Sequence, residues 1–175
     1  EVPVCREQVE AEANFAAGRL LFLRERFTTE ARSLDLTIGS VQSLHGTFGN
    51  TLSTTLYRFI EVAGQDRPLV GLIPCHPHVS RRPPGHDLSK ACRHFIQSPA
   101  FEARFSKTSE ADVFDAVAGY CGAQSGGPLG TAELILHDDN GDPHRFSFET
   151  FFNRYDALTL GVYLRPAYRI LAASA

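Results

Sequence analysis

The chain has 175 residues, of which 43% are hydrophobic and 21% charged, with a formal net charge of −3. That is an ordinary globular composition, enough for one ample domain or two small ones, and the charge excludes a bulk pull towards nucleic acid or an anionic membrane. No apolar run reaches membrane-spanning length and no basic start precedes an apolar signal segment, so a cytoplasmic protein with no membrane association is expected.

The first element is a long helix over Gln8 to Leu23. Val9, Ala13, Ala16, Ala17, Leu20, Leu21 and Phe27 fall near one face at helical spacing, and Arg6, Glu7, Glu10, Arg24 and Glu25 charge the other. Glu10 and Asn14 are four apart and therefore neighbours on the helix surface. Such a pair can offer a metal a carboxylate ligand and, one turn on, a polar side chain that steadies a partner ligand. The plain alternative is an Ala-rich amphipathic helix with no site. Phe27 to Leu36 follows with a weak pattern, Thr28 or Thr29 being able to cap a short turn.

Ile38, Val41, Leu44 and Phe48 make the stripe of a second helix, broken at Gly49-Asn50. Thr51 or Ser53 can cap a third, with Leu52, Leu56, Phe59, Ile60 and Ala63 as its apolar face and Gly64 at its end. A helix–turn–helix pair also raises DNA binding, but the second helix offers Arg58 as its one basic residue together with Glu61, so direct DNA binding is not expected.

Glu10-x-x-Ala13-Asn14, with Ala17 and Leu20-Leu21 after it, resembles the ImmA/IrrE family of zinc metallopeptidases. The later Leu44, Phe48, Gly49, Arg58 and Phe59 match the helix pair that follows the zinc helix in that family, with Asn50 and Thr51 where Val-Ser is usual. The resemblance implies that the helical start is the end of a gluzincin-like peptidase domain. It implies Glu10 as the third zinc ligand, Asn14 as its supporting neighbour, and Glu12 as the alternative if the register is off by two. It also implies zinc in the intact protein and a bacterial setting, with a protein substrate such as a DNA-binding repressor. The family's His-Glu-x-x-His is absent: His45, His76, His78, His86, His94, His137 and His144 are all placed otherwise. No catalytic residue is therefore assigned in this chain, and the segment by itself is expected to be inactive.

Gly64 to Pro68 is a turn, and a division into residues 1–65 and 66–175 is placed there. Leu69 to Ile73 reads as a buried strand. Cys75-His76-Pro77-His78 brings three metal-binding types together but lacks a second ligand pair at zinc spacing, so loop chemistry is the reading. Val79 to Ser89, with Arg81-Arg82-Pro83-Pro84-Gly85, is an exposed loop. The four cysteines, Cys5, Cys75, Cys92 and Cys121, are widely spaced and read as reduced thiols.

Ala91 to Gln97 is a strand, Ser98-Pro99 opens a short helix burying Phe101 and Phe105, and Ser109 opens another with Val113, Phe114, Val117, Tyr120 and Cys121 inward. Gly122 to Gly130 reads as a glycine-rich loop. Three strands close the chain: 131–137, 144–150 and 157–164, the last with alternate Leu158, Leu160, Val162 and Leu164. Asn140-Gly141 and Asn153-Arg154 turns join them in an antiparallel meander. The acidic turn at Asp138-Asp139 lacks the ligand pattern of a calcium loop and reads as a plain hairpin turn.

The fold class expected is α+β: a helical start, then an antiparallel-sheet module with covering helices and a core of its own. That module resembles the GAF and PAS-like sensor domains at the end of some family members. Two functions follow. One is the C-terminal portion of a zinc-dependent metallo-endopeptidase and transcriptional regulator; the other is a non-enzymatic module that binds a ligand or a protein.

Overall fold

Helix ends in this chain are set by side chains that can satisfy free backbone groups, and the strands by the lengths their neighbours offer. The structure, a computed structural model, describes residues 25–74, 92–121 and 127–167. Three helices come first: α1 (Glu25–Ser33), α2 (Ile38–Phe48) and α3 (Leu52–Ala63). Strands β1 (Leu69–Pro74) and β2 (Cys92–Gln97) follow, then helices α4 (Pro99–Glu102) and α5 (Glu110–Cys121). The chain closes with β3 (Gly127–His137), β4 (Pro143–Phe152) and β5 (Ala157–Pro166). The architecture is α+β, as expected. The helix over Gln8 to Leu23 and the 75–91 segment, with its cysteine, histidines and arginines, lie outside the described residues.

Residues 25–33 form a full helix instead of a capped turn, and Thr28 and Thr29 sit inside it. Phe27 and Ala31, one turn apart, are both buried, and Arg26 pairs with Glu30 at 2.9 Å beside them at the surface. Packing of that short apolar edge outweighs the low helix propensity of two threonines. At α2, Thr37 accepts a bond from the Ser40 N–H at 3.1 Å. Gly49 ends the helix at φ +70°, its N–H donating to the His45 carbonyl at 2.9 Å. Of the two candidate caps of α3 it is Thr51 that accepts, from the Thr54 N–H at 3.2 Å. Ser53 turns instead to Asp156 on the β4–β5 connection, at 3.3 Å. Gly64 closes α3, its N–H donating to the Ile60 carbonyl at 3.1 Å, and a Cβ there would lie 2.2 Å from the Cβ of Ser98.

All five strands form one antiparallel sheet in the order β2-β1-β5-β4-β3. The meander β3-β4-β5 and the membership of β1 agree with the expectation from the turns. The glycine-rich stretch is where the sequence reading needs correcting. Residues 127–130 belong to β3, paired against Thr150, Phe151 and Phe152 with an irregularity between Pro128 and Gly130. The length of β4 supplies partners that the glycines alone do not predict, and a bulge absorbs their poor fit. A second bulge corrects the last strand. Arg145 pairs with Arg165 and Phe146 with Tyr163, so Leu164 is an extra residue and stands 38% exposed. Its apolar stripe ends at Val162.

The sheet is covered on both sides. On one, Phe27, Val41, Leu44, Leu56, Phe59 and Ile60 of the three helices join Leu69, Ile73, Ile96, Leu158, Leu160 and Val162 in a single core. On the other, Val70, Leu72, Phe146, Phe148 and Phe152 pack against Phe101, Phe105, Val113 and Val117. The cover expected from α5 is there, through Val113 and Val117, with Phe114 partly buried against them. A core separate from the helical start is not what forms, because the turn after α3 returns the chain directly beneath its own helices. Gly71 of β1 marks how closely: a Cβ there would lie 2.3 Å from the Ile60 side chain. The helices are also tied to the sheet by charge. Glu149 of β4 accepts the backbone N–H of Ile38 at 2.9 Å, placing a carboxylate at the positive end of α2.

Candidate functional site

The residues named for zinc, Glu10 and Asn14, and the alternative Glu12, lie outside the described residues. Among the described residues no group of three or more His, Cys, Asp and Glu side chains could hold a metal ion. The family-like helix pair is formed as a unit. Leu44 and Phe59 are buried, and Phe48 meets Phe27 edge-on with ring centroids 5.1 Å apart. Gly49 makes the left-handed corner, and Arg58 pairs with Glu61 at 3.0 Å on the outer side of α3. His45 sits at that corner, its Nδ1 on the carbonyl of Asn50. Cys92 is buried, and its N–H is held by Glu110 at 2.5 Å.

The densest chemistry lies elsewhere, at the β3–β4 turn. Asp138 closes the turn through its backbone, donating to the Asp142 carbonyl at 3.0 Å and accepting from the Gly141 N–H at 2.8 Å. Its Oδ1 accepts the N–H groups of Asn140 and Asp142, both at 3.0 Å. Gly141, at φ +86°, is the residue that lets the chain turn back. Oδ2 then faces across the hairpin to Nε2 of His144, at 3.0 Å. Both side chains are only 3% exposed. A third group arrives from after α4: Arg104 places Nε 3.4 Å from Asp138 Oδ2 and Nη2 3.2 Å from His144 Nε2.

The next residue completes the attachment. Asp139 donates its N–H to the Arg104 carbonyl at 3.0 Å. Its carboxylate accepts from Ser106 Oγ at 2.8 Å and the Lys107 N–H at 3.0 Å, and Lys107 Nζ donates to its carbonyl at 2.8 Å. The hairpin turn is thus clasped to the α4–α5 connection by both aspartates. Their carboxylate oxygens accept N–H and O–H donors, as the hairpin turn read from the sequence requires.

Burial opposes ionisation of Asp138. The Asp142 N–H, the His144 ring, the Asn140 N–H and the charge of His144 outweigh it, and hold the carboxyl at about 2 against an ordinary 3.8. Asp139 is also held low, chiefly by the Lys107 N–H, against opposing burial and with help from Ser106 and the Lys107 charge.

Aromatic rings enclose the inner side of this clasp. The His144 ring meets Phe105 edge-on at 5.5 Å and Tyr163 at a tilt at 5.7 Å. Phe146 stands behind, 5.2 Å from Phe105 and 5.6 Å from Tyr163. The Arg104 guanidinium lies 5.8 Å from the Phe105 ring and 5.6 Å from the Tyr163 ring, a cation near two π faces. One atom is left over. His144 Nδ1 is buried and has no hydrogen-bond partner among the described residues.

The sequence marks Asp138 as a turn residue but gives no reason to single out His144 or Arg104. One signal was available: an Asp and a His flanking an Asn-Gly turn six residues apart come together when the hairpin closes. Arg104, 34 residues before Asp138, carries no such local sign.

No family model matches the chain, and no curated protein matches it. Among solved structures it is similar to a Mycobacterium tuberculosis transcriptional regulator, with a TM-score of 0.44 and 15% sequence identity. The match covers 89% of this chain and 49% of that one, so the chain spans about half the length of that protein.

Proposed function

We propose that the chain is the C-terminal portion of a zinc-dependent metallo-endopeptidase and transcriptional regulator of the ImmA/IrrE type. In this reading residues 1–65 end the peptidase domain and residues 66–175 form a regulatory, sensor-like part. The observation that carries it is the α2–Gly49–α3 corner. Leu44, Phe48, Gly49, Arg58 and Phe59 stand in the family's order, and they build a helix pair with the left-handed glycine between its two members. Glu10 is the zinc ligand in this reading and Asn14 steadies the site; the remaining ligands lie in sequence before residue 1. A protein substrate such as a DNA-binding repressor belongs to the same reading, as does a cytoplasmic location.

The test uses the longer protein with its upstream sequence. Metal analysis should find zinc in the wild type and in Glu12→Ala, and should find it lost in Glu10→Ala. Equal zinc in the two variants would refute the assignment of Glu10. Residues 1–175 alone should show no chelator-sensitive proteolysis, since one ligand does not make a zinc hydrolase.

A second reading, a non-enzymatic module that binds a ligand or a protein, is favoured by one feature. The buried Asp138–His144 pair sits beneath a half-exposed arginine and two aromatic rings, a concentration of polar and aromatic groups that core packing alone does not require. A longer protein without a His-Glu-x-x-His and without zinc would select this reading over the first.

A further inference from the structure

We infer that the outer edge of β3 pairs with β3 of a second copy of this chain, antiparallel and centred on Ile135. The inference rests on neither functional reading above. It follows from which backbone groups face outward, and from how the side chains along them match their own order reversed.

β3 is one edge of the sheet and β2 the other. An edge strand exposes unpaired N–H and C=O groups, and proteins blunt such edges with short length, charge, proline or a bulge. β2 has those devices. It is six residues long, carries exposed Arg93 and His94, and pairs irregularly opposite Ile73 and Pro74. β3 is eleven residues long, and its proline and its irregularity are confined to residues 127–130. From Thr131 to His137 it has no lysine, arginine or proline.

The hairpin sets the direction of the free groups. Asp138 sends its N–H across to the Asp142 carbonyl. Backbone groups reverse direction at each residue of a strand, so those of Leu136, Leu134 and Ala132 face β4 as well. Those of His137, Ile135, Glu133 and Thr131 face outward, and no backbone bond from the described residues meets them there. Pro143, opposite His137, has no N–H to give it, in keeping with this alternation. The same four residues have exposed side chains, on the face shared with Arg145 and Glu149. Ile135 is 53% exposed in the middle of that row.

Self-pairing then selects a register, because outward-facing residues must meet outward-facing residues. A centre at Glu133 sets two carboxylates opposite each other, which is unfavourable. A centre at Leu134 sets Glu133 against Ile135 twice. A centre at Leu136 sets Glu133 against the acidic Asp139 of the turn. A centre at Ile135 lets that residue exchange both backbone bonds with its own copy and shelters the two isoleucines against each other. It also places each Glu133 opposite the other copy's His137, a carboxylate before an imidazole N–H, twice by symmetry. Glu133 keeps Arg145 on its inner side at 3.3 Å and is 59% exposed, so its outer side is open to that histidine.

Sedimentation of the whole chain tests this, and a dimer that dissociates on dilution is expected. Ile135→Pro removes an outward N–H and leaves the bonds to β4, so the dimer should be lost while the circular dichroism of the folded chain is kept. Glu133→Lys alone and His137→Glu alone should each be monomeric. Mixed in equal amounts the two should form a dimer, because each sets an opposite charge before the other; this arm decides if the proline variant does not fold. Hydrogen exchange should protect the amides of Ala132, Leu134 and Leu136 at all concentrations, and those of Glu133, Ile135 and His137 only where the dimer forms. A chain that stays monomeric up to its solubility limit would overturn the inference. So would a dimer that survives Ile135→Pro, or charge variants that do not associate when mixed. Outward amides protected whatever the concentration would assign the edge to another segment of the same chain, and would overturn it too.

Discussion

The two sides of this sheet are made by the same strands and carry different chemistry. Towards α1, α2 and α3 the strands contribute Leu69, Ile73, Leu158, Leu160 and Val162, aliphatic side chains that meet Val41, Leu44, Leu56 and Ile60 together with Phe27 and Phe59 of the helices. Towards α4 and α5 they contribute Phe146, Phe148 and Phe152, and with them the buried His144 and the hydroxyl pair of Thr150 and Thr159, 2.8 Å apart. Aliphatic packing asks only for volume and offers nothing to an ion. Ring edges and faces have their own polarity, so the aromatic side can enclose an aspartate, a histidine and an arginine together. The first side is closed by apolar packing; the second also carries buried polar groups, Asp138 and His144.

That contrast can be broken most severely by removing one cover. A chain of residues 66–175 loses α1, α2 and α3 and opens the aliphatic side to water. It is expected to lose its cooperative thermal transition, and a sharp transition in calorimetry would show that the aromatic side suffices as a core. A narrower cut is Leu160→Ala, on the aliphatic side and 1% exposed. It should destabilise by roughly 2–5 kcal/mol in denaturant unfolding, the range for a large-to-small change in a packed core.

The smallest change expected is on the other side, and it is distinguished by its pH dependence. The folded carboxyl of Asp138 sits at about 2, below the ordinary 3.8. Its ionised form therefore contributes stability that is fully present above 3.8 and is lost as the pH falls through that value towards about 2. Asp138→Asn should melt below the wild type near neutral pH, with the gap closing across that acid window. A gap independent of pH would mean that the clasp depends on the shape of the side chain and not on its charge. Leu160→Ala should show no such window, and that is the sharpest way to tell the two sides apart.

Local chemistry made a large part of this fold legible. Gly49 and Gly64 mark helix ends, Asn140-Gly141 marks the hairpin, and alternate residues in β4 mark its inner side. What escaped were features set by partners distant in the chain. Residues 127–130 are a strand because Phe151 and Phe152 lie opposite, and α1 is a helix because Phe27 has a core to enter. The clasp divides in the same way. Asp138 is visible as a turn residue, while its meeting with Arg104 depends on where α4 ends. The zinc reading rests on Glu10 and Asn14 in a segment outside the described residues, so for that site the helix spacing and the resemblance stand alone.

The bond from Glu149 to the Ile38 N–H has a mechanical consequence. β4 holds α2 by its end, and not only by the side that packs on the sheet. A helix gripped along its flank can roll or slide as side chains exchange neighbours, but one pinned at its tip is loaded along its axis. A shift of β4, the strand that also carries His144, would therefore reach α2 as a push or a pull along its length. The stiff direction of the helix would carry it to the Gly49 corner, some 16 Å away at about 1.5 Å per residue.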